Sequence, residues 1–450
     1  MLGDYAQTAA GRLDVELGGL APGTGFDRLD VAGTASLDGA LNVTEIDGFY
    51  PSLGDAFPIL SFGARAGDFA TRNGLSLGDG LILTPTYGTS VLTLTATTAG
   101  SYHWNNPGGG NWGTATNWTP NGVPGPTDDA FIVLSGTYTV DLDQTASVNA
   151  LTLGGDSGQQ TLSIAAHTLT LGDASVVGAN GRVAVSGGTL AVDSIAVSST
   201  AALSVTGGLD LTAGTLTGGD PITVTGALTW TGGTMSGAGT TTIAPGGTLH
   251  VTGSGGRSLD ARSLDNFGAT VWDATNDLDF ANGGTVDNRA GATFTILDSG
   301  GRLFSGGAGS FNNQGAFVKM SGGTTDVYYV AFNNDGRVEV VSGTLELENA
   351  GGAGDGAFEV DSGTTLRFQG GSYDLGSLAQ VTSAGTVQFS GGTVDLAGSL
   401  DVTGTVRVDG GTANLSGPTT ITQALVSNGT LNLSYAAATV EDLDVTGGFF

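Results

Sequence analysis

Apolar and polar residues alternate in short runs along almost the whole chain. Thr161-Leu162-Ser163-Ile164, Thr168-Leu169-Thr170-Leu171, Arg182-Val183-Ala184-Val185 and Thr189-Leu190-Ala191-Val192 each place their apolar residues on one side of an extended strand. The runs are four or five residues long and end at Gly or Asn-Gly, where the backbone turns at little steric cost. No stretch keeps a helical period over three turns, so the pattern predicts an all-β chain.

Between 264 and 347 a phrase recurs. Leu264-Asp265-Asn266-Phe267-Gly268 returns as Val286-Asp287-Asn288-Arg289-Ala290-Gly291, Phe311-Asn312-Asn313-Gln314-Gly315 and Phe332-Asn333-Asn334-Asp335-Gly336. A strand-like run such as Arg337-Val338-Glu339-Val340 follows each copy. One turn and one strand per period of about 20–25 residues is the signature of a solenoid. A second phrase, Gly-Thr plus an apolar residue, recurs at Gly188, Gly214, Gly233, Gly247, Gly343, Gly392 and Gly429. Successive coils are expected to pair in parallel about 4.8 Å apart, with inward Val, Leu, Ile and Phe stacked on their equivalents. Asn266, Asn288, Asn313 and Asn334 would stack as an amide ladder. Gly268, Gly291, Gly315 and Gly336 would turn the corners through positive φ. The expected fold is a right-handed parallel β-helix (β-solenoid).

Three regions are expected. Residues 1–99 form a β-rich segment, with strands at Leu13–Leu17, Arg28–Val31, Ala40–Val43, Ile59–Phe62 and Val91–Thr95. Phe49, Phe57, Phe62 and Phe69 give it a heavier core. Residues 100–135 hold Trp104, Trp112 and Trp118 among Asn, Gly and Pro and read as a connector. Residues 136–450 are the repeat array, which at about 20–22 residues per coil gives on the order of 15 coils, or a rod about 70 Å long.

Composition narrows the function. Gly accounts for 80 of 450 residues without a Gly-X-Y period, which excludes collagen. Net charge is −29, and the cations are twelve Arg and one Lys, Lys319. Phosphate binding needs a basic stripe, so nucleic acid is not an expected partner, and anionic membranes are disfavoured for the same reason. Of the 42 acids, 35 are Asp, which suits turns rather than helices. There is no cysteine, hence no disulfide and no thiolate metal site. No apolar run reaches membrane-spanning length and no signal peptide is visible, so no membrane insertion by this segment is expected. The ending Thr446-Gly447-Gly448-Phe449-Phe450 shows no capping unit. We therefore expect a segment of a longer exported chain, truncated at both ends.

The stretch Phe332–Leu347 resembles repeats of very large bacterial surface proteins, namely autotransporter passengers and filamentous-haemagglutinin-like adhesins. Residues 3–98 resemble a passenger-associated segment of the same proteins, through Gly3-Asp4-Tyr5-Ala6-Gln7-Thr8, Leu13-Asp14-Val15-Glu16-Leu17-Gly18-Gly19, Phe26-Asp27-Arg28-Leu29-Asp30-Val31 and Gly54-Asp55-Ala56-Phe57-Pro58-Ile59-Leu60. The resemblance implies an extracellular or cell-surface location, with a host or environmental surface, including glycans, as partner. The chain departs from a complete autotransporter in lacking a signal and a translocator barrel.

Candidate chemistry is sparse. Trp104, Trp112 and Trp118 suit sugar stacking, but three Trp in a Gly/Pro-rich stretch equally make a small core that seals one β-region against the next, and that use is favoured. Asp128-Asp129, Asp141-x-Asp143 and the group Asp273, Asp277 and Asp279 with Asn276 read as solvated turns. So does Gly351-Gly352-Ala353-Gly354-Asp355, which comes near a calcium-roll motif but has its Asp one place early. No cofactor is expected beyond loosely bound calcium. His103, His167 and His250 lack ligand spacing. The expected function is therefore non-catalytic: an adhesin stalk, passenger or matrix component. The alternative is a carbohydrate-active β-helix enzyme, a polysaccharide lyase or glycoside hydrolase, for which no carboxylate pair stands out in the sequence. An ice- or mineral-binding solenoid would need regular Thr rows, and the irregular Gly-Thr spacing counts against it.

Overall fold

The structure is a computed structural model, and it describes residues 3–78, 81–98, 100–194, 201–297, 302–304, 309–349 and 351–450. It is β throughout, apart from one short 3-10 turn at Ala115–Asn117 among the described residues. The strands stack in parallel as a β-solenoid of about 14 turns. The coils fall into two compact units. One comprises Met1–Arg182, Leu190–Ser204 and Gly219–Pro221; the other comprises Val183–Thr189, Val205–Gly218 and Ile222–Phe450.

The first unit opens with short parallel coils. Tyr5–Ala6, Thr34–Leu37 and Ala64–Gly67 share one sheet, and Arg12–Leu17, Ala40–Glu45 and Thr71–Asn73 a second. Leu13 pairs with Leu41 and Val15 with Val43. The third face breaks the parallel pattern. Val91–Thr98 runs antiparallel to Ala56–Ser61 and to its own hairpin partner Leu81–Tyr87. Phe57, Phe62 and Phe69 are buried as the sequence predicts, and Phe26 meets Phe57 edge-on at 5.4 Å.

Residues 100–135 differ from a plain connector. Gly100–Trp104 pairs in parallel with Asp128–Ile132, which pairs in turn with Ala150–Leu153. The Trp-rich stretch is thus the first coil of the next stack, and Trp118–Thr119 closes its outer edge in antiparallel.

In the second unit each coil presents three strands. Ser263–Asn266, Thr285–Asn288, Ser310–Asn313 and Ala331–Asn334 stack on one face. Ala269–Ala274, Thr293–Ile296, Ala316–Lys319, Arg337–Val340 and Ala357–Val360 stack on the next. Thr324–Tyr328, Thr344–Glu348 and Thr365–Leu375 belong to the third. Register places like on like. Phe294 stacks on Phe317, Phe311 on Phe332 and Phe368 on Phe389, with centroids 5.5–5.7 Å apart. Such contacts add to the area the rings bury.

The corner glycines act differently from expectation. Gly291 has φ +85°, whereas Gly268, Gly315 and Gly336 are not in the left-handed region. At those three a Cβ would meet a carbonyl oxygen of the preceding coil at 2.2–2.4 Å: Gly247 O for Gly268, Ala292 O for Gly315 and Gly315 O for Gly336. Close backbone approach, not positive φ, is the reason for glycine there. The column itself runs through Ala292, whose carbonyl receives the amide of Ala316 just as that of Gly315 receives the amide of Arg337. Gly291 sits in an added turn one residue away.

Candidate functional site

The repeated Asn residues form a buried ladder. Asn266 Nδ2 donates to Asn288 Oδ1 (2.9 Å), Asn288 to Asn313 (2.8 Å) and Asn313 to Asn334 (2.8 Å). Each Nδ2 also donates to the carbonyl that opens the next coil's second strand, at Thr293, Ala316, Arg337 and Ala357. Ile243 occupies the column before Asn266. Leu375, Leu396, Leu415 and Leu433 occupy it beyond Gly354. All four Asn are essentially inaccessible. Their role is internal cross-linking of coils.

The residue before each ladder Asn points outward and builds a second row. Asn312 Nδ2 donates to Asp287 Oδ1 (2.7 Å), Asn333 Nδ2 to Asn312 Oδ1 (2.8 Å), and the Ala353 amide to Asn333 Oδ1 (3.0 Å). Arg289 Nη2 bridges Asp265 and Asp287 at 3.1 Å each. Burial pushes the Asp287 carboxyl up, and contact with Asp265 adds to this against the pull of Asn312 and Arg289. Beside the row lies an open polar groove of about 470 Å³ whose walls include Arg289, Asn312, Gln314, Asn333 and Asp335. Its amides and carboxylates suit a hydroxyl-rich ligand.

Among the described residues, three cations lie inside the coils. Lys319, the single lysine, donates to Ser321 Oγ (2.7 Å) and to the carbonyls of Ser321, Gly323 (2.9 Å) and Ser342 (3.1 Å). Arg257 reaches the carbonyls of Trp230, Thr231, Thr252, Gly253 and Asn276. Arg262 reaches Thr241 Oγ1 and the carbonyls of Gly218, Ser236 and Thr240. Burial lowers Lys319 to about 8 and Arg262 to about 10. The alternation Ala316-Phe317-Val318-Lys319 already puts Lys319 on the face of Phe317, a signal that counting charges alone passes over.

The three connector tryptophans form a plug. Trp104 meets Trp118 edge-on at 5.1 Å and Trp112 meets Trp118 at 4.9 Å. Trp118 Nε1 donates to the Trp112 carbonyl and Trp104 Nε1 to that of Asn106. None is more than 3% exposed, so no indole face is offered to a sugar. The glycan-contact expectation for Trp104, Trp112 and Trp118 does not fit this packing.

The acid pairs accept amide donors, several of them from neighbouring coils. Asp128 accepts the Gly125 amide and Asp129 the Asn149 side chain; Asp143 accepts the Gly113 amide. Asp355 accepts the Leu378 amide and bonds through its own amide to Asp335, tying coils together. Among the described residues no three His, Asp or Glu side chains converge as a metal site. His103 stacks on Phe131 at 4.6 Å. No family model matches the chain, and no curated protein or solved structure matches it either.

Proposed function

We propose that the chain is a non-catalytic repeat protein of a bacterial cell surface, serving as adhesin stalk, passenger or matrix component. One observation carries this reading. The residues that set the repeats apart, Asn266, Asn288, Asn313 and Asn334, turn inward and bind coil to coil. With Lys319, Arg257 and Arg262 they put the polar chemistry of the array into cohesion between coils. Such cross-linking suits a chain that bears load or resists proteolysis outside the cell. The acidic composition and the resemblance to passenger repeats support the location. An antibody against the chain, applied to intact cells of the source organism, is expected to label them without permeabilisation. Labelling only after lysis would overturn the reading.

A further inference from the structure

A pocket of about 460 Å³ lies in the first unit, walled by the 70–85 segment on one side and by 126–170 on the other. Its volume is in the range of small-ligand sites. Its chemistry departs from that of the chain. The molecule carries 42 acids against 13 cations, yet no carboxylate is among the described residues that line the pocket, and the one charged residue there is Arg72. The wider cluster is also net cationic. Arg72 pairs with Asp68, and Tyr87 donates to the same carboxylate. Arg65 adds a second guanidinium over the Tyr87 ring, 4.1 Å from its centroid. Arg65 also donates to the Gly67 carbonyl, so the cluster holds two guanidinium groups and one carboxylate. Arg72 Nε is buried with no hydrogen-bond partner, so the guanidinium is not fully satisfied by Asp68.

The remaining walls divide into two kinds. Leu75, Pro85 and Pro126 give an apolar surface. Ser147 and Thr170, in register on adjacent coils, give hydroxyl groups on the face opposite their buried neighbours Val148 and Leu171. A ligand that matches all three has a carboxylate, several hydroxyls and a C–H face.

We propose that this pocket binds the hexuronate unit of an acidic glycan, its carboxylate held at Arg72, its hydroxyls at Ser147 and Thr170, and its ring against Leu75, Pro85 and Pro126. The inference is independent of the surface-protein reading, since the site would be the same in a chain of any location. The probe is glucuronate, titrated calorimetrically into the full 450-residue chain, with glucose and inorganic phosphate as comparisons. Saturable binding of glucuronate is expected, at least about tenfold tighter than either comparison. Arg72→Gln should weaken it by about the same factor. Because Arg72 also pairs with Asp68, a second variant, Ser147→Trp, fills the cavity from an outward strand position. It should abolish binding while melting as the wild type does. Absence of glucuronate binding, equal binding of glucose, tighter binding of phosphate, or glucuronate binding that survives Ser147→Trp would each overturn the assignment.

Discussion

Asn288 Nδ2 lies 2.8 Å from Asn313 Oδ1, two side chains in register on neighbouring coils and wholly out of water. The same amide group reaches the Ala316 carbonyl, so one side chain joins both the stack and the corner. In the coils beyond Gly354 leucine fills the column instead. The ladder is therefore a local choice of polar over apolar cohesion. Its cost appears when it is broken, because an amide left without its partner inside the coil loses its water as well.

Asn313→Leu is accordingly expected to destabilise its coils by about 2–3 kcal/mol, by stranding the amides of Asn288 and Asn334. Replacing all four ladder residues by Leu should cost less per residue, since no ladder amide is left buried without its neighbour. Native-state hydrogen exchange at the amides of Ser310–Asn313 and Ala331–Asn334 gives the comparison. If the single and fourfold variants cost the same per site, the ladder is not a coupled unit.

Gly336 and Gly291 separate two reasons for glycine. At Gly336 a Cβ would lie 2.2 Å from the Gly315 carbonyl oxygen, while Gly291 has φ +85° and open space. Gly336→Asn should cost about 2 kcal/mol or more through displaced backbone. Gly291→Asn should cost under about 1 kcal/mol, since Asn visits the left-handed region readily. Local exchange protection at Arg337–Val340 and Thr293–Ile296 measures each, and a reversed order would contradict the steric account.

Strand positions and the inward face were legible in the sequence, because alternation is local: Arg337-Val338-Glu339-Val340 reads as a strand and is one. The amide ladder followed from repetition of the phrase. The cause of its glycines did not, because the clashing carbonyl belongs to the preceding coil, about 20 residues away in sequence. A clue was present in the extra residue between Asn288 and Gly291 compared with Asn266 and Gly268. The antiparallel hairpin Leu81–Tyr87 and Val91–Thr98, the groove beside Asn312 and the pocket at Arg72 depend on pairing across coils or on segments remote in sequence. Composition could mark Trp104, Trp112 and Trp118 as an anomaly, but only packing shows their faces covered by one another.

Removing one member of that plug should open the first coil of the stack. Trp112→Ala is expected to cost about 3–5 kcal/mol, the usual range for a buried aromatic in a core. In the wild type, iodide should barely quench the fluorescence contributed by Trp104, Trp112 and Trp118. The variant should show quenching and early exchange at Gly100–Trp104. Strong quenching in the wild type would mean that the indoles are accessible and would reopen a sugar-stacking role.

Lys319 provides a pH test with a defined sign. Burial lowers its pKa to about 8, against about 10.4 in an unfolded chain. Between these values the unfolded state holds the proton that the folded state has released, so stability rises with pH across this window and is level below it. The rise is about 3 kcal/mol at most. Tyr138, raised by burial to about 12, and Tyr373, raised further, give the opposite slope above pH 10. That contribution is common to wild type and Lys319→Met and cancels in their difference. The difference in stability, followed from pH 7 to 10.5, should therefore climb in favour of the wild type above pH 8. A flat difference would mean that the oxygens of Ser321, Gly323 and Ser342 hold the ammonium charged against the effect of burial.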